Sequence, residues 1–301
     1  MSARRALAAA LLALAPLVVA GRASAGEADP AERLAQAVAP AVVPLRGVAV
    51  VSATLNGQEL FPAQEEDSET RGVVVDPSGL LVVGVELHMI RALEAKMPGL
   101  SVSVDIRRIE VQLPGETKDR PAVLVARDAT YGLAFVQVLD LGEQKLAAVD
   151  LADAPEPAVG ATLWGVSRLR RGFDHAVKVE RTHVIGAVEQ PRRALLLDGD
   201  VSDHGTFLFD AAGRAVGMYA VQLGAEGVEP GDEGDGSGRA IVLSPAVLRA
   251  ATEAARKKVP EAVAKAKEAK PEPATAGDGA PAPDAPKAPA PDAPKEPAPA
   301  R

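Results

Sequence analysis

The sequence predicts an antiparallel all-β fold. Apolar runs are short and follow one another along most of the chain. Glycine and proline, 27 and 25 residues, punctuate them as turns. A single helical pattern comes late, after the last strand-like run. Periodicity of this kind does not separate one sandwich from two barrels.

The elements fall in the following order. Met1 to Ala25 reads as a secretory signal, with Arg4-Arg5, an apolar stretch from Ala6 to Ala20, and Ala23-Ser24-Ala25 as the cleavage site. Asp29 to Val38 reads as a short helix, with Asp29 as N-cap and Pro30 at its first position. Strands are expected over Ala41–Leu45 and Val48–Leu55, followed by an acidic loop, Gln64 to Glu69. Gly72–Val83 reads as strand, tight turn, strand, because Pro77 fixes the turn backbone and Gly79 supplies its permissive position. A short helix over His88–Met97 is followed by strands at Val102–Leu113, Ala122–Ala126 and Leu133–Leu139. The pattern then repeats, with strands at Ala161–Val166, Ala176–Val179 and Val184–Val188. Ala194–Leu197, a polar loop and Ala215–Val221 come next. Ala240–Leu243 is the final strand, and Ser244-Pro245 starts a helix to about Lys258. From Lys267 onward the chain is Pro, Ala, Lys, Asp and Glu, which offers nothing sizeable to bury and predicts a disordered tail.

Composition narrows the function classes. Hydrophobic residues make up 47% of the chain but aromatics only 3%, so the core is built from Val, Leu and Ala. The formal charge of -8 argues against a nucleic-acid partner, which requires a basic face. With no cysteine, disulfides, thiolate metal sites and a cysteine nucleophile are excluded. Beyond the signal, no segment approaches 18 uninterrupted apolar residues, so no membrane span is expected after cleavage.

The polar loop between Leu197 and Ala215 collects chemistry-bearing groups: Asp198, Asp200, Ser202, Asp203 and His204. Loops held between strands are common places for such groups. Three stretches, in order, resemble the trypsin-like domain of the HtrA/Deg serine peptidase family. Gly72-Val73-Val74-Val75-Asp76-Pro77-Ser78-Gly79 through Glu86 is similar to the stretch that ends in the catalytic histidine. Ala122-Val123-Leu124-Val125 through Asp128, then Gly132-Leu133-Ala134, resembles the stretch that carries the catalytic aspartate. Ser202-Asp203-His204-Gly205-Thr206-Phe207-Leu208-Phe209-Asp210, then Gly213 to Gly217, resembles the nucleophile loop. The resemblance spans roughly residues 40–255 and implies two six-stranded antiparallel β-barrels, at 40–150 and 151–250. A linker with a short helix (26–39) precedes them, and a C-terminal helix (251–266) and the tail (267–301) follow, with no PDZ domain.

The departures from the family pattern bear on function. The histidine position is Glu86, the aspartate position Gly132 and the serine position His204. A Ser–His–Asp mechanism needs a hydroxyl nucleophile, an imidazole base and a carboxylate that orients it. Losing that unit costs about 10⁶ in turnover, or roughly 8 kcal/mol. Ser202 stands two residues before the nucleophile position, where glycine is usual and where an oxyanion-hole amide belongs. Phe207 is expected to crowd the cleft wall. Glu86 and His204 are expected to pair across the old cleft. Other readings stay open. His88, two residues past Glu86, and Ser202 form a relocated pair in the reading of an active peptidase with an atypical constellation. In a zinc reading Glu86, His88, Asp203 and His204 converge. In a third reading the chain is a structural envelope protein that works through its tail. The leading expectation is an exported pseudoprotease without cofactor or metal that binds a peptide or protein partner in the periplasm or outside the cell.

Overall fold

Residues 29–85, 94, 96–128, 131–152, 156–189, 193–198, 201, 203–222 and 239–268 are described in a computed structural model of the protein. The signal segment, the Pro/Ala tail from residue 269 and the acidic loop near Gly234 lie outside these residues. Helix α1 (Pro30–Val38) starts as expected, with the Ala31 amide donating to the Asp29 carboxylate at 2.9 Å. Leu34 and Val38 bury its apolar face.

Among the described residues, twelve strands close into two barrels of the same topology. The first is β1 (Val42–Leu55), β2 (Gln58–Asp76), β3 (Leu80–Gly84), β4 (Leu100–Val111), β5 (Arg120–Asp128) and β6 (Leu133–Val138), in spatial order 1-2-3-6-5-4. The second is β7 (Thr162–Arg168), β8 (Val177–Val188), β9 (Ala194–Leu197), β10 (Phe207–Phe209), β11 (Ala215–Gln222) and β12 (Arg239–Leu243), in order 7-8-9-12-11-10. All strand pairs are antiparallel. The two-barrel expectation is met.

The buried residues say where the barrels touch. Strands β3, β6 and β10 are buried on both faces, with the single exception of Gly84 at the end of β3. One face of each fills its own barrel and the other faces the interface, hence their near-continuous apolar sequences. In β10 the split is direct. Leu208 belongs to the interior of the second barrel, with Leu163, Val184 and Tyr219. Phe207 and Phe209 belong to the larger core shared with the first barrel. Helix α2 (Pro245–Arg256) is capped by the Ser244 hydroxyl and puts Leu248 and Ala255 into that shared core.

Several boundaries differ from the sequence reading. Ala41–Leu45 and Val48–Leu55 are one strand, and so are Ala176–Val179 and Val184–Val188, because backbone pairing runs through the polar residues between them. The acidic stretch Gln64–Glu69 is strand, not loop, paired with Arg46 to Val51. Here β1, β2 and β4 run on beyond the barrel as a three-stranded arm. Gln58 to Ser68 are solvent-exposed, so the carboxylates stay hydrated while the backbone pairs. The C-terminal helix starts at Ser244-Pro245 as expected, but a second helix, α3 (Val259–Glu268), follows it and takes Pro260 into its first turn, where a missing N–H costs nothing. Of the expected helix over His88–Met97, only Glu94 and Lys96 are described as helical, and the Glu94 carboxylate accepts from the Val102 amide at 3.0 Å. No helix among the described residues is long and apolar enough to cross a membrane.

The turn after β2 also ties down α2. Asp76 accepts from the Ser78 amide at 2.8 Å, and Arg256 of α2 stands 2.6 Å from its other oxygen. Burial opposes ionisation of this carboxyl, but these partners outweigh it and hold its pKa below the usual value. A lowered folded pKa gives stability that is present above the unfolded pKa and lost as pH falls through the folded one. Asp76→Asn should therefore flatten the acid limb of the stability profile, measured by urea unfolding between pH 7 and pH 3.

Candidate functional site

The three family-like stretches meet at the barrel interface. The Val85 amide, just past β3, donates to the Gly132 carbonyl, just before β6, at 2.9 Å. Gly84 lies against the loop before β10. A methyl group on Gly84 would sit 2.5 Å from the Gly205 nitrogen and 2.6 Å from the His204 carbonyl carbon. One on Gly205 would sit 2.6 Å from the Gly84 nitrogen. The two barrels thus touch backbone to backbone beside His204. The loop is fixed from the other side by β11: the Gly205 amide donates to the Tyr219 carbonyl at 2.9 Å, and the Tyr219 amide donates to Thr206 at 2.8 Å.

His204, which the family resemblance puts at the nucleophile position, has its ring centroid 5.6 Å from that of Tyr219. Gly132, which the resemblance puts at the aspartate position, is held in a conformation that disfavours a side chain. Gly132 has φ +62°, in the left-handed region, and a Cβ there would lie 3.2 Å from the Val85 carbonyl oxygen. Glu86, His88 and Ser202 lie outside the described residues. The expected Glu86–His204 pair and the alternative Ser202–His88 pair therefore fall outside them too. Among the described residues no group of three or more potential ligands could hold a metal ion.

Asp203 is more than a loop residue. Its carboxylate accepts from the Arg71 guanidinium at 2.7 Å, and Arg71 comes from β2 of the other barrel. The Arg71 Nε also donates to the Arg168 carbonyl at the end of β7. Lys178 stands 3.8 Å from the second Asp203 oxygen and 3.0 Å from Glu180. Charges therefore alternate from Arg71 through Asp203 and Lys178 to Glu180. Each of the four side chains is at most 25% exposed, so solvent screens them less than an open surface pair. This chain of charges fixes the residue next to His204 to the opposite barrel.

Arg168 makes a second bridge. Its guanidinium donates to the carbonyls of Val42 at 2.6 Å, Ala39 at 2.8 Å and His175 at 3.1 Å. Burial pushes its pKa down from the usual arginine value, and its partners among the described residues are these backbone carbonyls rather than a carboxylate. Glu69 of β2 adds a third contact. It accepts from the Arg171 amide at 2.7 Å and lies 3.5 Å from His175 Nδ1.

Phe207 corrects the sequence reading. It is fully buried in the shared core, paired with Val166, and forms no cleft wall. Burying a phenylalanine side chain is worth about 1.5–3 kcal/mol, which favours the core over the cleft. Sequence reasoning also missed Arg71 and Arg168. A signal was present for each: Arg168 ends the otherwise uncharged strand Thr162–Arg168, and Arg71 directly precedes the first family-like stretch.

No protein-family model matches the chain, and no curated protein does. Among solved structures it is similar to the HtrA-type protease AlgW with a tripeptide, at 17% identity and TM-score 0.47, covering 74% of this chain and 62% of that one. It is also similar to Deg5, at 18% identity and TM-score 0.46, covering 73% of this chain and 91% of that one. The chain thus spans less than two thirds of the length of the first of these structures.

Proposed function

We propose that this chain is an exported, non-catalytic trypsin-like domain that works by binding a peptide or protein partner. The observation that carries the reading is the occupancy of the nucleophile loop. An imidazole stands where a hydroxyl is needed, and the carboxylate beside it is engaged by Arg71 of the other barrel. The position of the orienting aspartate is a left-handed glycine. General-base activation of a serine requires nucleophile, base and orienting carboxylate in one hydrogen-bonded line. Of the described loop groups, neither His204 nor the Arg71-bound Asp203 offers a nucleophilic hydroxyl, which supports this reading. A partner recognised by shape and backbone contacts needs no reactive group. The N-terminal segment, with its A-x-A site, supports export.

The test is a hydrolysis assay on the purified chain with casein and a fluorogenic peptide set, alongside labelling by a fluorophosphonate probe. The expected result is no turnover above the buffer blank and no labelling. Robust turnover that disappears in Ser202→Ala would overturn the proposal in favour of an active peptidase with an atypical constellation. Crosslinking in an envelope extract, with and without residues 269–301, reports on the partner. Partner capture that survives removal of the tail assigns binding to the barrels. Capture that needs the tail favours the structural reading instead.

A further inference from the structure

The loop between β7 and β8 holds an aromatic ring out in solvent on a rigid support. Phe173 is 69% exposed, and Val177, just beyond the loop, is 39% exposed. Mobility does not account for this exposure, because the loop is closely hydrogen-bonded. The Leu169 amide donates to Ala176, Phe173 to Arg170, and Ala176 to Phe173, all between 2.8 and 3.0 Å. Arg168 binds the His175 carbonyl, and Glu69 binds the Arg171 amide. Two successive non-glycine residues, Asp174 and His175, are kept at φ 53° and 49°, in the left-handed region. Such backbone persists only where its surroundings over-determine it. Beside Phe173 stand Arg170 and Arg171, both exposed and neither in an ion pair with a carboxylate among the described residues. An aromatic flanked by arginines on a pre-organised loop has the composition of an interface hot spot.

The same chain carries the complementary surface. Along the arm, β2 from Gln58 to Ser68 pairs only with β1, so its other edge is open among the described residues. On that strand Leu60 and Phe61 are 51% and 39% exposed, and Glu65, Glu66 and Asp67 are all exposed. The part of this arm that carries Phe61 cannot serve its own loop. The loop is fixed to Glu69 at the base of the arm, and Phe61 lies eight residues further along an extended strand, roughly 26 Å away. Anionic partners such as nucleic acid or acidic lipid are disfavoured by the formal charge of -8.

We propose that the Arg170-Arg171-Phe173 loop of one copy docks on the acidic arm of a second copy, near Phe61 and Glu65-Glu66. The contact is heterologous, since loop meets arm rather than loop meeting loop. It therefore builds a ring or an open chain rather than an isologous dimer.

Sedimentation velocity on the full chain at low and high salt tests the proposal. Wild type is expected to associate at concentrations on the order of 100 µM in low salt and to disperse as salt rises. The double variants Arg170→Glu/Arg171→Glu and Glu65→Arg/Glu66→Arg should each weaken association about a hundredfold. An equimolar mixture of the two should restore it, because each then offers the charge the other needs. Phe173→Ser, which changes no charge, should weaken it at both salt concentrations. A wild type that stays monomeric under these conditions overturns the proposal. So does association that the loop and arm variants leave unchanged, or a mixture that fails to restore it.

Discussion

Gly205→Ala should lower the unfolding free energy by about 3 kcal/mol or more, from two separable costs. Gly205 has φ +86°, and an L-residue held in the left-handed region costs about 1–2 kcal/mol. The added methyl would also sit 2.6 Å from the Gly84 nitrogen and 3.0 Å from its Cα. Those atoms are backbone at the end of β3, so they cannot rotate aside, and overpacking of this kind costs about 1–3 kcal/mol. For a domain of this size the midpoint of thermal unfolding should fall by about 6–12 °C. Gly213→Ala separates the two costs. Gly213 is at φ +81°, but its nearest neighbour is the flexible tip of Leu34 at 3.8 Å. It should show the backbone cost alone, at about a third to a half of the effect. Equal shifts for the two variants would mean that the barrels do not meet backbone to backbone at this point.

That contact also explains what survives of the family pattern. In the family-like reading of the loop, Gly205 follows the position that the resemblance gives to the nucleophile, where this chain has His204. The geometry gives it a reason independent of catalysis: a Cβ at either 84 or 205 would press on the backbone of the other barrel.

The fold was legible because its strongest signals are local. The turn at Asp76-Pro77-Ser78-Gly79, the buried runs Leu80–Val83 and Leu133–Val138, and the caps at Asp29 and Ser244 depend on neighbouring residues. The arm was misread for the opposite reason. Hydrophobic patterning detects strands that bury a face, and from Gln58 to Ser68 β2 buries none. The site was legible as far as the order of the motifs carried it. The motifs placed Glu86, Gly132 and His204 at one interface; Glu86 lies outside the described residues, while Gly132 and His204 both lie against the end of β3, at Val85 and Gly84. The charge bridges were not legible. Arg71 and Asp203 are 132 residues apart, and Arg168 reaches back 126 and 129 residues to Val42 and Ala39. No periodicity or spacing rule connects such pairs; only the closing of one barrel against the other does.

Arg168→Met should cost about 3 kcal/mol, and Arg168→Lys should recover less than half of it. Methionine keeps most of the side-chain volume, so the loss reports on hydrogen bonds rather than on a cavity. Three carbonyl groups lose their donor: Ala39 where α1 runs out, Val42 at the start of β1, and His175 in the β7–β8 loop. Hydrogen bonds to a charged group are worth about 1.5–3 kcal/mol each, but the guanidinium itself is costly to desolvate, which cancels part of the sum. Lysine can reach one of the three carbonyls at a time, whereas the planar guanidinium addresses all of them from fixed directions. The damage should spread in a defined pattern. Val42 and Ala39 anchor the first barrel, His175 holds the left-handed turn that displays Phe173, and the Arg168 carbonyl receives Arg71. Hydrogen exchange should therefore speed up in three separate places, namely 39–42, 169–176 and the loop around Asp203, while the interior of the second barrel around Leu163 and Leu208 keeps its protection. Faster exchange confined to 169–176 would instead make Arg168 a local loop residue and remove its role as a bridge between the barrels.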